Sequence, residues 1–256
     1  MTTKILRAEN LIYKVNGFEL SIENFVINKG EKICLFGPNG SGKTTLAKLL
    51  TGYLKPLKGK IILYGKKLEE WSDQKRSKKI TYASFDLFLA ASGKKLIDFV
   101  RLGAFRRKTH TDVENEIKKL FMLFGLSGKE NQPLDTLSAG ELQKAIIAQT
   151  LMQRSKIVLL DEPTAHLDIY WQTAVIKNIF AYGSEFQEAV VIILHDLNLA
   201  LNYFDRLLCL KDGKLLLDLK LSDWKSRKEA ALRIGNLYNV KIEVMAFNDK
   251  IVAVYY

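Results

Sequence analysis

The sequence predicts an α/β protein built around a phosphate-binding loop that joins a buried strand to a helix. Three observations carry that expectation. Gly37-Pro38-Asn39-Gly40-Ser41-Gly42-Lys43-Thr44-Thr45 fills the G-x-x-x-x-G-K-[ST] spacing completely. Its flanks are right: Lys32-Ile33-Cys34-Leu35-Phe36 is an apolar strand candidate, and Leu46 to Leu50 reads as the first turns of a helix. Farther on, Ile157-Val158-Leu159-Leu160 and Val190-Val191-Ile192-Ile193-Leu194 are unbroken apolar runs, as in strands of a parallel sheet covered on both faces.

Taken in order, Ile5, Leu11, Tyr13 and Val15, then Phe18 to Ile22, alternate as antiparallel strands do, with Asn16-Gly17 as the hairpin turn and Gly30 closing the meander. Tyr13 and Val15 stand two apart and so share a strand face. Beyond the loop helix, Ile61 to Tyr64 and Ile80 to Ala83 are further strands. From about Ala90 to Gln153 the pattern turns helical. Val113, Ile117, Leu120, Phe121 and Phe124 recur at three- and four-residue steps, as do Ala145, Ile146, Ala148 and Leu151. Trp171 to Tyr182 is the natural crossover helix between the two apolar strands. Leu207 to Leu210 and Leu215 to Leu217 flank the turn signal Lys211-Asp212-Gly213-Lys214. The segments Val240 to Met245 and Ile251 to Tyr256 read as a hairpin behind a helix.

At 256 residues, 48% hydrophobic and 26% charged, the chain can bury a large core as one domain or one with a small appendage. Its apolar runs are far shorter than the ~20 residues of a membrane span, and Met1 to Glu9 has no signal-peptide core. Cys34 and Cys209 both lie in apolar runs and read as small buried side chains in a reducing compartment, so the cytoplasm is the expected location. The formal charge of +11 favours anionic partners: nucleotide, nucleic acid or an anionic membrane face. The clusters Lys75-Arg76-Ser77-Lys78-Lys79 and Arg106-Arg107-Lys108 lack interleaved aromatics and read as solvated faces, so nucleic acid is not expected.

The chemistry follows from the loop. Glycine lets the backbone approach an anion closely, and a helix N-terminus adds unpaired N–H donors and partial positive charge. Lys43 is placed to reach the β- and γ-phosphates and the Thr44 hydroxyl to ligate magnesium. Asp161 and Glu162 end the Val158 to Leu160 strand, which is expected to lie beside the strand feeding the loop. There Asp161 holds Mg2+, directly or through water, and Glu162 polarises the attacking water.

Leu137-Ser138-Ala139-Gly140-Glu141 resembles the signature motif of the ATP-binding cassette (ABC) ATPases, standing before Asp161 with a helix between. Ala165-His166-Leu167-Asp168 resembles that family's D-loop, and Leu194-His195-Asp196 its switch histidine. The resemblance runs from about Leu6 to Leu217. It implies a P-loop NTPase fold of ABC type with an antiparallel β subdomain and a helical insert at about 90–153. The ATP-binding domain would be residues 1–218, and residues 219–256 a small helix and β-hairpin extension. It also implies ATP and Mg2+ as ligands and a head-to-tail dimer in which Ser138 and Gly140 contact the γ-phosphate held by the other subunit. His195 then contacts the γ-phosphate and Asp168 lines the seam.

The chain also departs from the family. Phe85, with Asp86 next, stands where a metal-touching glutamine belongs; phenylalanine cannot ligate magnesium, so either the register is shifted here or the contact is absent, and slower or less tightly coupled hydrolysis is expected. Alignment on Gly17 puts Val15 at the adenine-stacking site, with Tyr13 the nearest ring on that face. Ala139 replaces the first signature glycine and Leu142 a polar residue.

His166-Leu167-Asp168-Ile169 with Gln172, His195 to Ala200, Val100 to Gly103 and Leu237 to Val244 resemble the ATPases of iron-siderophore, haem and cobalamin importers. That resemblance implies an energy-coupling ATPase on the inner membrane face, working with a second ABC subunit, membrane permease subunits and a substrate-binding protein. The alternatives are a soluble ABC ATPase acting on nucleic acid or a protein assembly, and a binding-only cassette. The first usually carries two nucleotide domains or a coiled-coil insertion. The second is disfavoured by the presence of Lys43, Asp161, Glu162 and His195.

Overall fold

A computed structural model describes residues 3–85, 93–105, 110–184, 186–248 and 250–256. Asp86, the start of the expected helical insert and the Arg106 to Lys108 cluster lie outside the described residues. In chain order the elements are β1 (Lys4–Val15), β2 (Phe18–Asn28), β3 (Lys32–Phe36), α1 (Lys43–Thr51), β4 (Lys58–Leu63), β5 (Lys66–Lys67), α2 (Asp73–Arg76), β6 (Ile80–Ala83), α3 (Leu96–Arg101), α4 (His110–Phe124), α5 (Ala139–Met152), β7 (Ile157–Asp161), α6 (Ile169–Gly183), β8 (Ala189–Ile193), α7 (Leu197–Tyr203), β9 (Arg206–Lys211), β10 (Lys214–Lys220), α8 (Trp224–Tyr238), β11 (Ile242–Phe247) and β12 (Lys250–Tyr255). They form two compact units, Met1–Asp73 with Ala189–Tyr256, and Gln74–Glu188.

In the first unit the main sheet runs β5-β4-β1-β2-β10-β9-β3-β8. The β1–β2 turn works because Asn16 and Gly17 take φ of 45° and 81°, the paired positive values whose twist suits a two-residue hairpin. Strands β4, β1 and β2 pair antiparallel, and β10 meets β2 at Lys214 and Ser21. Strand β3 runs parallel to β8 on one edge and to β9 on the other. Ile33, Cys34, Leu35 and Phe36 are all buried, as a strand flanked on both edges and both faces requires. This corrects one expectation. The strand that ends in Asp161 is not the neighbour of the loop strand, because β8 and β9 already pair along β3.

The last strands of this unit are held by an arrangement invisible to periodicity. Asn198 and Asn202 stand one turn apart on α7 and treat β12 as a neighbouring strand would. Asn198 Oδ1 accepts from Ala253 N–H at 2.7 Å and Asn202 Oδ1 from Ile251 N–H at 2.9 Å, while their Nδ2 groups donate to the carbonyls of Ala253 and Ile251. Helix α8 starts at a capping box between Asp223 and Ser226 and stops at Asn239, whose φ is 56°.

The second unit packs α3 to α6 about a core that includes Leu120, Phe121, Phe124, Ile147 and Leu151, with β6 and β7 parallel. Its most buried carboxylate, Glu116, is fully partnered. The Arg154 guanidinium donates to both its oxygens at 2.9 Å, and the Tyr182 hydroxyl bonds one of them. Breaking such a knot from one side would cost less than the about 3–5 kcal/mol of a fully buried pair, because the Arg154 side chain is half exposed and water can reach the carboxylate once it is gone. Helix α5 starts at Ala139, ahead of the apolar positions from Ala145 on, because Ser138 caps it.

Candidate functional site

The first unit places the loop, His195 and the β1–β2 face. Lys43 is buried at 6% exposure, and its Nζ donates to the carbonyls of Gly37 at 2.8 Å and Pro38 at 3.0 Å. The lysine is thus laid along the loop. Helix α1 opens at Gly42, at φ 100°, with no side chain capping it. A Cβ on Gly37 would stand 2.3 Å from the Leu210 carbonyl oxygen, and one on Gly42 2.9 Å from both Phe18 and Leu20, so side chains are excluded at these two loop positions. Ser41 Oγ is buried without a hydrogen-bond partner. A buried orphan hydroxyl among close-set backbone is the polar residue of an anion cradle, and the loop fits a nucleotide phosphate.

Leu35 pairs with Ile193, so Gly37 and His195 lie equally far beyond the ends of neighbouring parallel strands. His195 is exposed there, and Asp196 next to it caps α7 by accepting from Leu199 N–H at 2.9 Å. The pairs Tyr13–Leu20 and Val15–Phe18 put these four side chains on one face of the hairpin, the face whose Phe18 and Leu20 abut Gly42. Both Tyr13 and Val15 therefore look towards the loop. Phe18, a second ring on that face, escaped the sequence reading because it sits beside a turn and breaks no pattern.

The second unit places Asp161, Glu162, Ser138, Gly140, Asp168 and Phe85. Asp161 is 9% exposed, and the Tyr82 hydroxyl donates to its Oδ2 at 2.9 Å. Magnesium takes one or two carboxylates and completes its shell with water and phosphate oxygens. A carboxylate at a strand end, oriented by a tyrosine hydroxyl, suits that demand. Glu162 is exposed and holds a left-handed φ of 49°, and its carbonyl accepts from Ala165 N–H at 3.1 Å and from Gln143 Nε2 at 3.0 Å. By the β6–β7 register, Phe85 and Glu162 are level beyond their strands. The Phe85 ring lies 5.4 Å from that of His166, tilted by 49°, so an aromatic contact stands where a glutamine was expected.

Ser138 caps α5 in a reciprocal box. Its Oγ accepts from Glu141 N–H at 3.3 Å and donates to Glu141 Oε2 at 2.9 Å. The Lys129 ammonium, 2.5 Å from Glu141, together with the Ser138 N–H, holds that carboxyl down at about 2. Gly140 is a packing requirement as well, since its Cβ would meet the His166 carbonyl oxygen at 2.8 Å. Asp168 caps α6 by accepting from Trp171 N–H at 2.8 Å. Lys144, buried over the Trp171 ring at 4.0 Å, is pushed below the usual lysine range by that burial, against the pull of Glu141 and Asp168.

An anion cradle between a parallel strand and an uncapped helix places the protein among the phosphate-loop nucleotide-binding proteins. The family model described as ABC transporter matches residues 20–165, more than half of the chain, and the chain belongs to that family. Its ATPases hydrolyse ATP to drive transport, and this chain is an ATP-binding subunit of that kind. It is similar to the petrobactin import ATP-binding protein FpuC of Bacillus anthracis, with 38% identity over 78% of this chain and 75% of that protein. It is similar also to the hemin import ATP-binding protein HmuV of Escherichia coli O157:H7, with 31% identity over 90% of this chain and 92% of that protein. Among solved structures, cbiO1 of Clostridium perfringens, part of the ABC transporter complex cbiONQ, superimposes with a TM-score of 0.73 at 26% identity, over 93% of this chain and 99% of that one.

Proposed function

We propose that the chain is the energy-coupling subunit of an importer for a metal chelate of iron-siderophore, haem or cobalamin type, held against the inner face of the cell membrane by a separate permease. The observation that carries this reading is the likeness to a petrobactin import subunit across three quarters of both chains. No helix among the described residues is long and apolar enough to cross a membrane, which agrees with a permease on another chain.

In this reading the loop backbone and Lys43 bind the ATP phosphates, and Tyr13 supports the adenine. Thr44 and Asp161 are the magnesium ligands, with Tyr82 orienting Asp161. Bound magnesium neutralises charge on the phosphate oxygens. Glu162 accepts a proton from the attacking water, and His195 hydrogen-bonds the terminal phosphate. Ser138 and Gly140 serve the nucleotide of a second copy, and Asp168 lies along the seam between copies. A substrate-binding protein completes the system.

The test is purification of the tagged chain from membranes, with uptake measured in cells lacking it. A membrane permease should co-purify and stimulate ATP hydrolysis, and uptake of one chelate class should be lost. Recovery of RNA, DNA or a soluble scaffold instead, with uptake of all chelates intact, sinks the proposal.

A further inference from the structure

Two non-glycine residues in the turn after β7 hold left-handed backbone, Glu162 at φ 49° and His166 at φ 62°. Such conformations persist only where the surroundings impose them. Both are gripped from helix α5. Gln143 Nε2 donates to the Glu162 carbonyl at 3.0 Å, and Gly140, one turn earlier on the same helix face, lets the His166 carbonyl approach so closely that a Cβ would meet it at 2.8 Å. Gln143 is only 2% exposed, and its Oε1 finds no hydrogen-bond partner. A buried amide with an unmet acceptor is a poor choice for stability, since an apolar side chain of the same shape would leave nothing unpaired there. The glutamine is therefore explained by its one bond, to the backbone of the residue that carries the base.

We infer that Gln143 is a positioning residue for hydrolysis. Its amide fixes the Glu162 carbonyl, the left-handed turn that results aims the Glu162 carboxylate, and the base answers to the position of the helix that Ser138 opens. The inference rests on the reading of Glu162 as the base.

The experiment compares Gln143→Met, Gln143→Glu and Glu162→Gln in the full chain purified with its membrane partner. Methionine keeps the volume and removes the donor. For Gln143→Met, kcat falls about ten- to a hundredfold, as misplaced catalytic groups do, with KM for ATP unchanged and the melting temperature equal or higher. A glutamate at this position donates only when protonated, and burial favours that form. The activity of Gln143→Glu relative to the unaltered protein thus rises as pH is lowered from about 8 to about 6. Unchanged kcat in Gln143→Met, a joint fall of kcat, ATP affinity and melting temperature, or a pH-independent ratio for Gln143→Glu overturns the inference. If Glu162→Gln itself hydrolyses ATP normally, the reading of Glu162 fails and takes the inference with it. If Glu162→Gln is inactive while Gln143→Met is not impaired, only the inference fails.

Discussion

Around Gly37 to Thr45 the atoms offered to an anion are mostly backbone, with the Lys43 ammonium laid beside them, and the serine among them, Ser41, has its hydroxyl buried without a partner. Around Ser138 and Asp161 the polar atoms are side chains already bonded within the chain: Ser138 to Glu141, Asp161 to Tyr82, Asp168 to the first turn of α6. The first arrangement is held in shape by its backbone, though Lys43 must leave the Gly37 and Pro38 carbonyls, and Ser41 N–H the Pro38 carbonyl, to turn to phosphate. The second must exchange existing bonds for new ones. A site of the first kind binds whatever the second does. A site of the second kind engages only when the incoming group offers bonds as good as those it replaces.

Splitting binding from chemistry is the strongest way to break this comparison. Lys43→Ala should weaken nucleotide binding and hydrolysis by more than about a hundredfold, because it removes the cation laid into the cradle. Glu162→Gln should lose hydrolysis to a similar extent, about a hundredfold or more, while nucleotide binding by calorimetry stays within about twofold. Equal loss of binding in both variants would show that the two units do not divide the work.

Tyr82→Phe tests the bonded half at smaller scale. Removing the hydroxyl leaves the Asp161 carboxylate short of one donor, so stability should fall by about 1–2 kcal/mol and the magnesium concentration for half-maximal ATPase should rise severalfold. Denaturant unfolding and a magnesium titration check the two parts separately. Phe85→Gln should raise the partner-stimulated ATPase rate by a few-fold through water held near the metal. If neither the rate nor its stimulation changes, the ring contact with His166 has no bearing on coupling.

The smallest effect concerns acid. Glu141 titrates at about 2 in the folded chain against an ordinary 4.5, so the stability it lends is complete above pH 4.5 and disappears as pH falls through about 2. Glu141→Gln should lower stability at neutral pH by on the order of 1 kcal/mol, as ion pairs still open to solvent do. The difference should vanish in urea unfolding at the acid end of that window. A difference that persists there would mean the carboxylate acts only through the cap geometry.

The local elements were largely legible in the sequence, for a physical reason. The glycine loop, the capping serine before α5, the acids after β7 and the histidine after β8 all sit where a periodic element stops or starts, and an interrupted pattern is what a sequence displays well. Long-range partners were not. Tyr82 lies in an apolar strand and reads as core; that its hydroxyl reaches Asp161 depends on the parallel register of β6 and β7. Gln143 falls on a helix with ordinary apolar spacing, and only the left-handed turn beyond β7 gives it a target. The order β9-β3-β8 was missed for the same reason, since an apolar run states that a strand is covered without stating by which neighbours.

Cys34 and Cys209 lie on adjacent strands beneath the phosphate loop, fully buried, and burial raises both thiols, that of Cys209 to about 12. Neither can present a thiolate to an alkylating reagent while β3 and β9 stay paired. The native chain is therefore a silent background for labelling: a single cysteine introduced on its surface would carry a dye or spin label with both natural thiols left in place. Their own slow modification would in turn clock how often the strands of the loop sheet come apart, with no label added at all.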